Sequence, residues 1–272
     1  MAGKALEGKV ALITGSSRGI GLATAHELAR RGARIVLNGR GGERLDNALK
    51  SLESQGAEVI AAPADVTDPD ACRAMIDKAV DTFGRFDILV NNAGLSMRAN
   101  LEDLDAATCK KILDINIHGC VYPTLFAIPQ LKQNKGSVVF TSSIAGLIGL
   151  PTASLYCAAK TGLRGFADSL RCELAPAGVH VGVVFVGFTE NDPEKTVEGA
   201  GGQAVSPDRP GYMSQKEVAH AFADLIQHRR RQVALTPVGK FAKFAAWLSP
   251  EFVEKTIIFS RRTNLSEKLG IR

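Results

Sequence analysis

The chain has 272 residues, 45% of them hydrophobic and 22% charged, the balance of a globular protein with room for one large α/β unit. No run approaches the roughly 20 apolar residues needed to span a bilayer, and residues 1–10 are too short and polar for a secretory signal, so a soluble, cytoplasmic protein is expected. The net charge of +5 is gathered at the end, where ten lysines and arginines stand against three glutamates from Arg229 onward; the nearly neutral remainder argues against a nucleic-acid-binding core.

Short β-branched runs alternate with longer amphipathic stretches. Residues 9–14 read as a buried strand closed by Gly15, and residues 20–31 as a helix ended by Gly32. Strands are predicted over 34–38, 57–62 and 86–90, with helices over 45–55 and 70–83 between them. Residues 106–131 read as largely helical, with Pro123 and Pro129 as kinks or breaks. A strand over 137–141, a long helix over 154–174, a strand over 179–185, a helix over 214–229 and a closing strand over 232–235 complete the pattern. Such alternation predicts a single-domain, doubly wound parallel sheet of Rossmann type with helices on both faces, spanning residues 1–235. Residues 189–211 lack periodicity and read as a long loop, functional or disordered. Five cysteines at wide spacings, with no CxxC pair, point to buried free thiols, and no cluster offers metal-ligand spacing.

After the first strand comes Thr14-Gly15-Ser16-Ser17-Arg18-Gly19-Ile20-Gly21, leading into a helix. Glycines there let the backbone approach a pyrophosphate, whose charge the helix N-terminus stabilises. The spacing TGxxxGxG resembles that of the short-chain dehydrogenase/reductase family, and the resemblance extends over roughly residues 7–235. Asp65-Val66 after the third strand looks like the family's adenine-contacting pair. Asn91-Asn92-Ala93-Gly94 after the fourth looks like its NNAG turn, with Asn92, Ala93 and Gly94 toward the cofactor. An acidic residue ending the second strand would bond the ribose hydroxyls of NAD and repel a 2′-phosphate. Here Gly39 stands in that position, Arg40 follows, and Arg18 lies in the glycine loop, so NADP(H) is the expected cofactor.

Tyr156 and Lys160 form YxxxK, a spacing of four that puts both side chains on one helix face. A phenol is a weak acid–base catalyst at neutral pH unless a nearby positive charge stabilises its ionised form, and Lys160 would supply one. Ser143, thirteen residues before Tyr156, matches the family's catalytic serine; Ser142 is its nearest rival. Asn116 matches the helix asparagine that holds a water leading to the lysine. The resemblance thus fills all four catalytic positions and implies hydride transfer between nicotinamide and a carbonyl or secondary alcohol. After the sixth strand the family carries Pro-Gly, whereas this chain has Val186-Gly187-Phe188-Thr189. Gly187 and Thr189 still match a cofactor-binding turn, and valine for proline predicts a looser one.

The positions that wall the family's pocket supply Leu95, Met97, Leu147, Ile148, Leu150, Leu155, Val186 and Phe188 here, which favours an apolar small-molecule substrate such as a lipid, steroid or aromatic ketone. Residues 236–272 form a basic amphipathic extension, with Phe241, Phe244, Ala245 and Leu248 at i, i+3, i+4, i+7. Its helices are expected to pack on the domain or a second subunit, with peripheral membrane contact as the alternative. The resemblance also implies a homodimer or homotetramer, paired through the helices of 106–131 and 154–174. Two competing readings stand beside the enzyme: a non-catalytic nucleotide-binding regulator, and a membrane-associated interaction module.

Overall fold

Seven parallel strands form the central sheet of the computed structural model, in the order β3-β2-β1-β4-β5-β6-β9. The structure describes residues 5–190, 194–207 and 213–263. The strands are β1 (Val10–Ile13), β2 (Arg34–Leu37), β3 (Val59–Ala61), β4 (Ile88–Asn91), β5 (Ser137–Ser143), β6 (His180–Val186) and, at the far edge, β9 (Gln232–Ala234). Their inner members are apolar on both faces because helices cover both. Val10 and Leu12 of β1 enter one core, with α3 (Pro69–Phe83), α5 (Gly119–Asn134) and α6 (Ser154–Leu174). Ala11 and Ile13 enter the other, with α1 (Gly19–Arg30), α2 (Glu43–Glu53) and α7 (Gln215–Gln227). This is the doubly wound architecture expected, and the strand order reverses between β1 and β4, where such sheets open a crevice at their carboxyl ends.

Three segments depart from the sequence reading. The stretch read as one helix over 106–131 is α4 (Ala106–Leu113), a π-helical turn (Asp114–His118) and α5. The interruption falls at the π turn, whereas Pro123 and Pro129 both lie inside α5. Within the loop read over 189–211, β7 (Val197–Glu198) and β8 (Ala204–Val205) pair as an antiparallel hairpin. Glu198 accepts from Arg98 and donates to Ser96 through its main chain, tying that hairpin to the segment after β4.

The extension folds into α8 (Pro237–Leu248) and α9 (Pro250–Arg262), which pack on one another. The expectation that its apolar face packs on the domain is not met. Phe241, Phe244, Trp247 and Leu248 of α8 are all more than half exposed, as are Phe252 and Phe259 of α9. The contact with the domain is made by the opposite side, where Gly239 is buried. Among the described residues no helix is long and apolar enough to cross a membrane.

Candidate active site

The glycine loop is held by side chains of neighbouring strands. Asn38, buried at the end of β2, accepts from Gly15 N at 3.2 Å and donates to the carbonyls of Ala62 and Ala64 at 3.1 and 3.2 Å. Its own N–H donates to Ser16 Oγ at 2.9 Å. Thr14 Oγ1 accepts from the N–H groups of Asn92 and Ala93 at 2.9 and 3.0 Å. Asn92 returns its amide to the carbonyls of Thr14 and Gly15 at 3.0 and 3.1 Å. Asn38 and Thr14 were not singled out from sequence; a polar residue closing a buried apolar strand was the available signal for both.

This arrangement fits a dinucleotide. A Cβ on Gly21 would lie 2.4 Å from the Gly15 carbonyl and 2.6 Å from Asn92 Nδ2, so no side chain is tolerated where α1 meets the loop. No side chain caps α1 through a hydrogen bond and its first turn holds no acidic residue, leaving an electropositive helix start at Gly19 and Ile20 for an anion. Ser17 packs on Gly39, where a Cβ would be 3.4 Å from Ser17 Oγ, so the chain neighbours of Arg18 and Arg40 touch; Arg18 itself lines a recess with Ser17, Leu22, Arg44, Asn47 and Glu194. Asp65, on the same side, is held below the usual carboxylate range by the Thr67 N–H and hydroxyl, with the Arg40 charge adding to them. Val66 is buried beneath it, against Gly119.

The four residues matched to the family's catalytic set come from three elements. Ser143 ends β5 and is half-buried, its Oγ accepting from Ala145 N at 3.2 Å. Ser142 faces the other way, buried, and donates its hydroxyl to the Lys160 carbonyl at 3.2 Å. Tyr156 and Lys160 share one face of α6, with Lys160 Nζ 5.6 Å from the centre of the Tyr156 ring. The buried Lys160 ammonium donates to the Thr141 carbonyl at 3.0 Å. Asn116 is fully buried within the π turn, and its amide donates to the carbonyls of Leu95 and Ile112 at 2.7 and 2.8 Å. A Cβ on Gly94 would lie 3.0 Å from Asn116 Oδ1 and 3.4 Å from Lys160 Nζ, so the NNAG turn, the π turn and α6 meet at one point. Nearby Cys120 is inert: burial pushes its thiol up to about 11 although the Lys160 charge opposes this.

Beyond this corner, Leu95, Leu150, Leu155 and the buried Met97 form one apolar cluster with Tyr156. Leu147 and Val186, read from sequence as further wall residues, belong to the sheet cores instead. Val186 is the last residue of β6 and pairs in register with Ser143. The turn after it is not loose: a Cβ on Gly187 would come 2.5 Å from Thr236 Cγ2, and Thr189 Oγ1 donates to the Gly187 carbonyl at 3.3 Å.

Comparison with known proteins agrees with this geometry. The family model of short chain dehydrogenase matches residues 9–200. Among curated proteins, 11-beta-hydroxysteroid dehydrogenase 1A of Arabidopsis thaliana is 41% identical over 191 residues, covering 69% of this chain and 54% of its own length. The 11-beta-hydroxysteroid dehydrogenase of Pinus massoniana is 37% identical over 192 residues, 70% of this chain and 54% of its own. The chain thus spans about half the length of these relatives. Among solved structures, a short chain dehydrogenase/reductase from Burkholderia phymatum in complex with NAD superposes with TM-score 0.77 at 25% identity, covering 86% of this chain and 91% of the other. An alcohol dehydrogenase from Thermococcus sibiricus complexed with 5-hydroxy-NADP gives 0.73 at 27%, covering 84% and 95%. By its glycine loop, its sheet order and these matches, the chain belongs to the short-chain dehydrogenase/reductase family.

Proposed function

We propose that the protein is an NADP(H)-dependent oxidoreductase that interconverts a carbonyl and a secondary alcohol on an apolar small molecule. The observation that carries this reading is the buried Lys160, anchored on the Thr141 carbonyl of β5 and 5.6 Å from the Tyr156 ring, beside the strand that Ser143 ends. When bound, the nicotinamide supplies or accepts the hydride. In the reducing direction Ser143 and Tyr156 donate hydrogen bonds to the substrate oxygen as negative charge develops there, and Tyr156 passes it a proton. Lys160 keeps a positive charge beside the phenol, and Asn116, in the π turn that meets Gly94 next to Lys160, would hold the water that returns a proton to the lysine.

Support for NADP(H) over NAD(H) comes from the lack of a carboxylate at Gly39 and from its contact with Ser17, the sequence neighbours of these two being Arg40 and Arg18, residues suited to a 2′-phosphate. Solved relatives hold either cofactor type, so the fold is neutral on this point. The apolar cluster beside Tyr156 and the names of the plant relatives favour a steroid-like ring system. Exposed Leu113 and Leu125, on α4 and α5, suit pairing into a homodimer or homotetramer. The outward stripe of α8 suits peripheral contact with a membrane.

The test is oxidation of NADPH and NADH against a panel of apolar ketones, with Tyr156→Phe beside the parent protein. Turnover with NADPH that drops by about 10²–10⁴ in the variant is expected. Tight NADPH binding with no turnover on any compound would favour the regulator, and the absence of binding would overturn the cofactor assignment.

A further inference from the structure

Helix α8 starts inside the rim of the site. Its N-cap, Thr236, is buried against Gly187, in the turn after β6. Three residues on, a Cβ on Gly239 would lie 3.3 Å from Ile144 Cγ1, and Ile144 follows Ser143. The first turn of α8 is therefore a wedge between the turns that follow β5 and β6. One of these carries the serine and the other the matched cofactor turn.

The opposite side of the same helix is bare and apolar. Trp247 is 78% exposed, and Phe241, Phe244 and Leu248 stand beside it. Exposed Lys240 lies on this stripe, and α9 adds exposed Phe252, Phe259, Lys255 and Arg262. Over residues 237–262 five basic residues stand against Glu251 and Glu254, with Lys255 paired to Glu251 at 3.0 Å, so two such hairpins brought face to face would still set like net charges together. An anionic lipid surface would neutralise them while burying the aromatic rings.

We propose that the α8–α9 hairpin docks on an anionic bilayer and that docking tightens the wedge, ordering the turns at 144–148 and 187–190 and raising turnover. Lipid surface is then an activating partner of the enzyme. The turnover part rests on the oxidoreductase reading above; the docking and ordering do not.

The experiment takes the full chain with phosphatidylcholine vesicles, with and without phosphatidylglycerol. Trp247, the single tryptophan of the chain, reports docking. Its emission should move to the blue with anionic vesicles only, and brominated lipid should quench it. Hydrogen exchange in both turns should slow severalfold while α2 is unaffected. Turnover of a water-soluble ketone should rise about fivefold or more. Phe244→Ser should lose the shift, the protection and the activation while keeping basal turnover. Thr236→Ala should keep the shift and lose the protection.

An unmoved Trp247 with anionic vesicles, or a dimer that shields it, overturns the docking. A shift with unchanged exchange in both turns overturns the wedge. Shift and protection without turnover under any condition support docking and ordering and count against the oxidoreductase reading alone.

Discussion

The hydroxyl of Ser142 donates to the main-chain carbonyl of Lys160 at 3.2 Å, whereas that of its half-buried neighbour Ser143 accepts from Ala145 N. Successive residues of a strand point to opposite sides, so one serine is spent on docking α6 and the other faces the crevice. Ser143→Ala should lower kcat by about 10²–10³ with the melting temperature unchanged. Ser142→Ala should cost about 1–2 kcal/mol of stability. Parallel thermal melts and turnover assays separate the two, and the reverse pattern would exchange their roles.

Cofactor choice is testable at Gly39. A Cβ there would sit 3.4 Å from Ser17, an ordinary contact, so Gly39→Asp should fold without rearrangement. Its carboxylate would oppose a 2′-phosphate and accept ribose hydroxyls, shifting the NADPH-to-NADH ratio of kcat/KM by about 100-fold toward NADH. An unchanged ratio would remove Arg18 and Arg40 from the cofactor argument.

Asn116 satisfies two carbonyls in a fully buried π turn. Asn116→Ala leaves both without that donor and should cost about 1–3 kcal/mol, a fall in Tm of roughly 2–12 °C. Turnover should fall with it, because the turn borders Gly94 and Lys160. A variant as stable as the parent would mean that the helix closes to regular α geometry without the side chain.

Acid sensitivity should centre on Glu27. The Arg30 side chain, helped by Arg31 and opposed by burial, holds its carboxyl at about 2, against an ordinary 4.5. Arg31 in turn pairs with Asp224 of α7 at 2.8 Å, joining two helices of one face. Since the folded value lies below the unfolded one, this stabilisation is complete above pH 4.5 and is lost as pH falls toward 2. Glu27→Gln should lower stability at pH 7 by about 1–2 kcal/mol, reduced by solvent screening, and flatten the acid limb of Tm against pH. Melts between pH 7 and pH 2 check both, and an acid limb as steep as the parent's would place the sensitive group elsewhere.

The alternation of apolar runs and amphipathic stretches was enough to read the sheet, the positions of α1 and α6, and the glycine loop between β1 and α1, because these follow from local periodicity and from steric limits on glycine. Ser143, Tyr156 and Lys160 were legible through the family resemblance, since only the spacing of four between Tyr156 and Lys160 follows from local periodicity. The π turn was not, since the buried Asn116 amide is satisfied by Leu95, far away in sequence, and the prolines nearby were the stronger local signal. Nor was the role of Asn38, whose partners come from two separate segments, the glycine loop and the stretch after β3. The tail gives the sharpest contrast. Its amphipathic period was plain in the residues, yet which side meets the domain depended on Gly239 fitting against Ile144 and Gly187 against Thr236. Periodicity specifies that a helix has two faces, and only packing against the rest of the chain decides which of them is left to the outside.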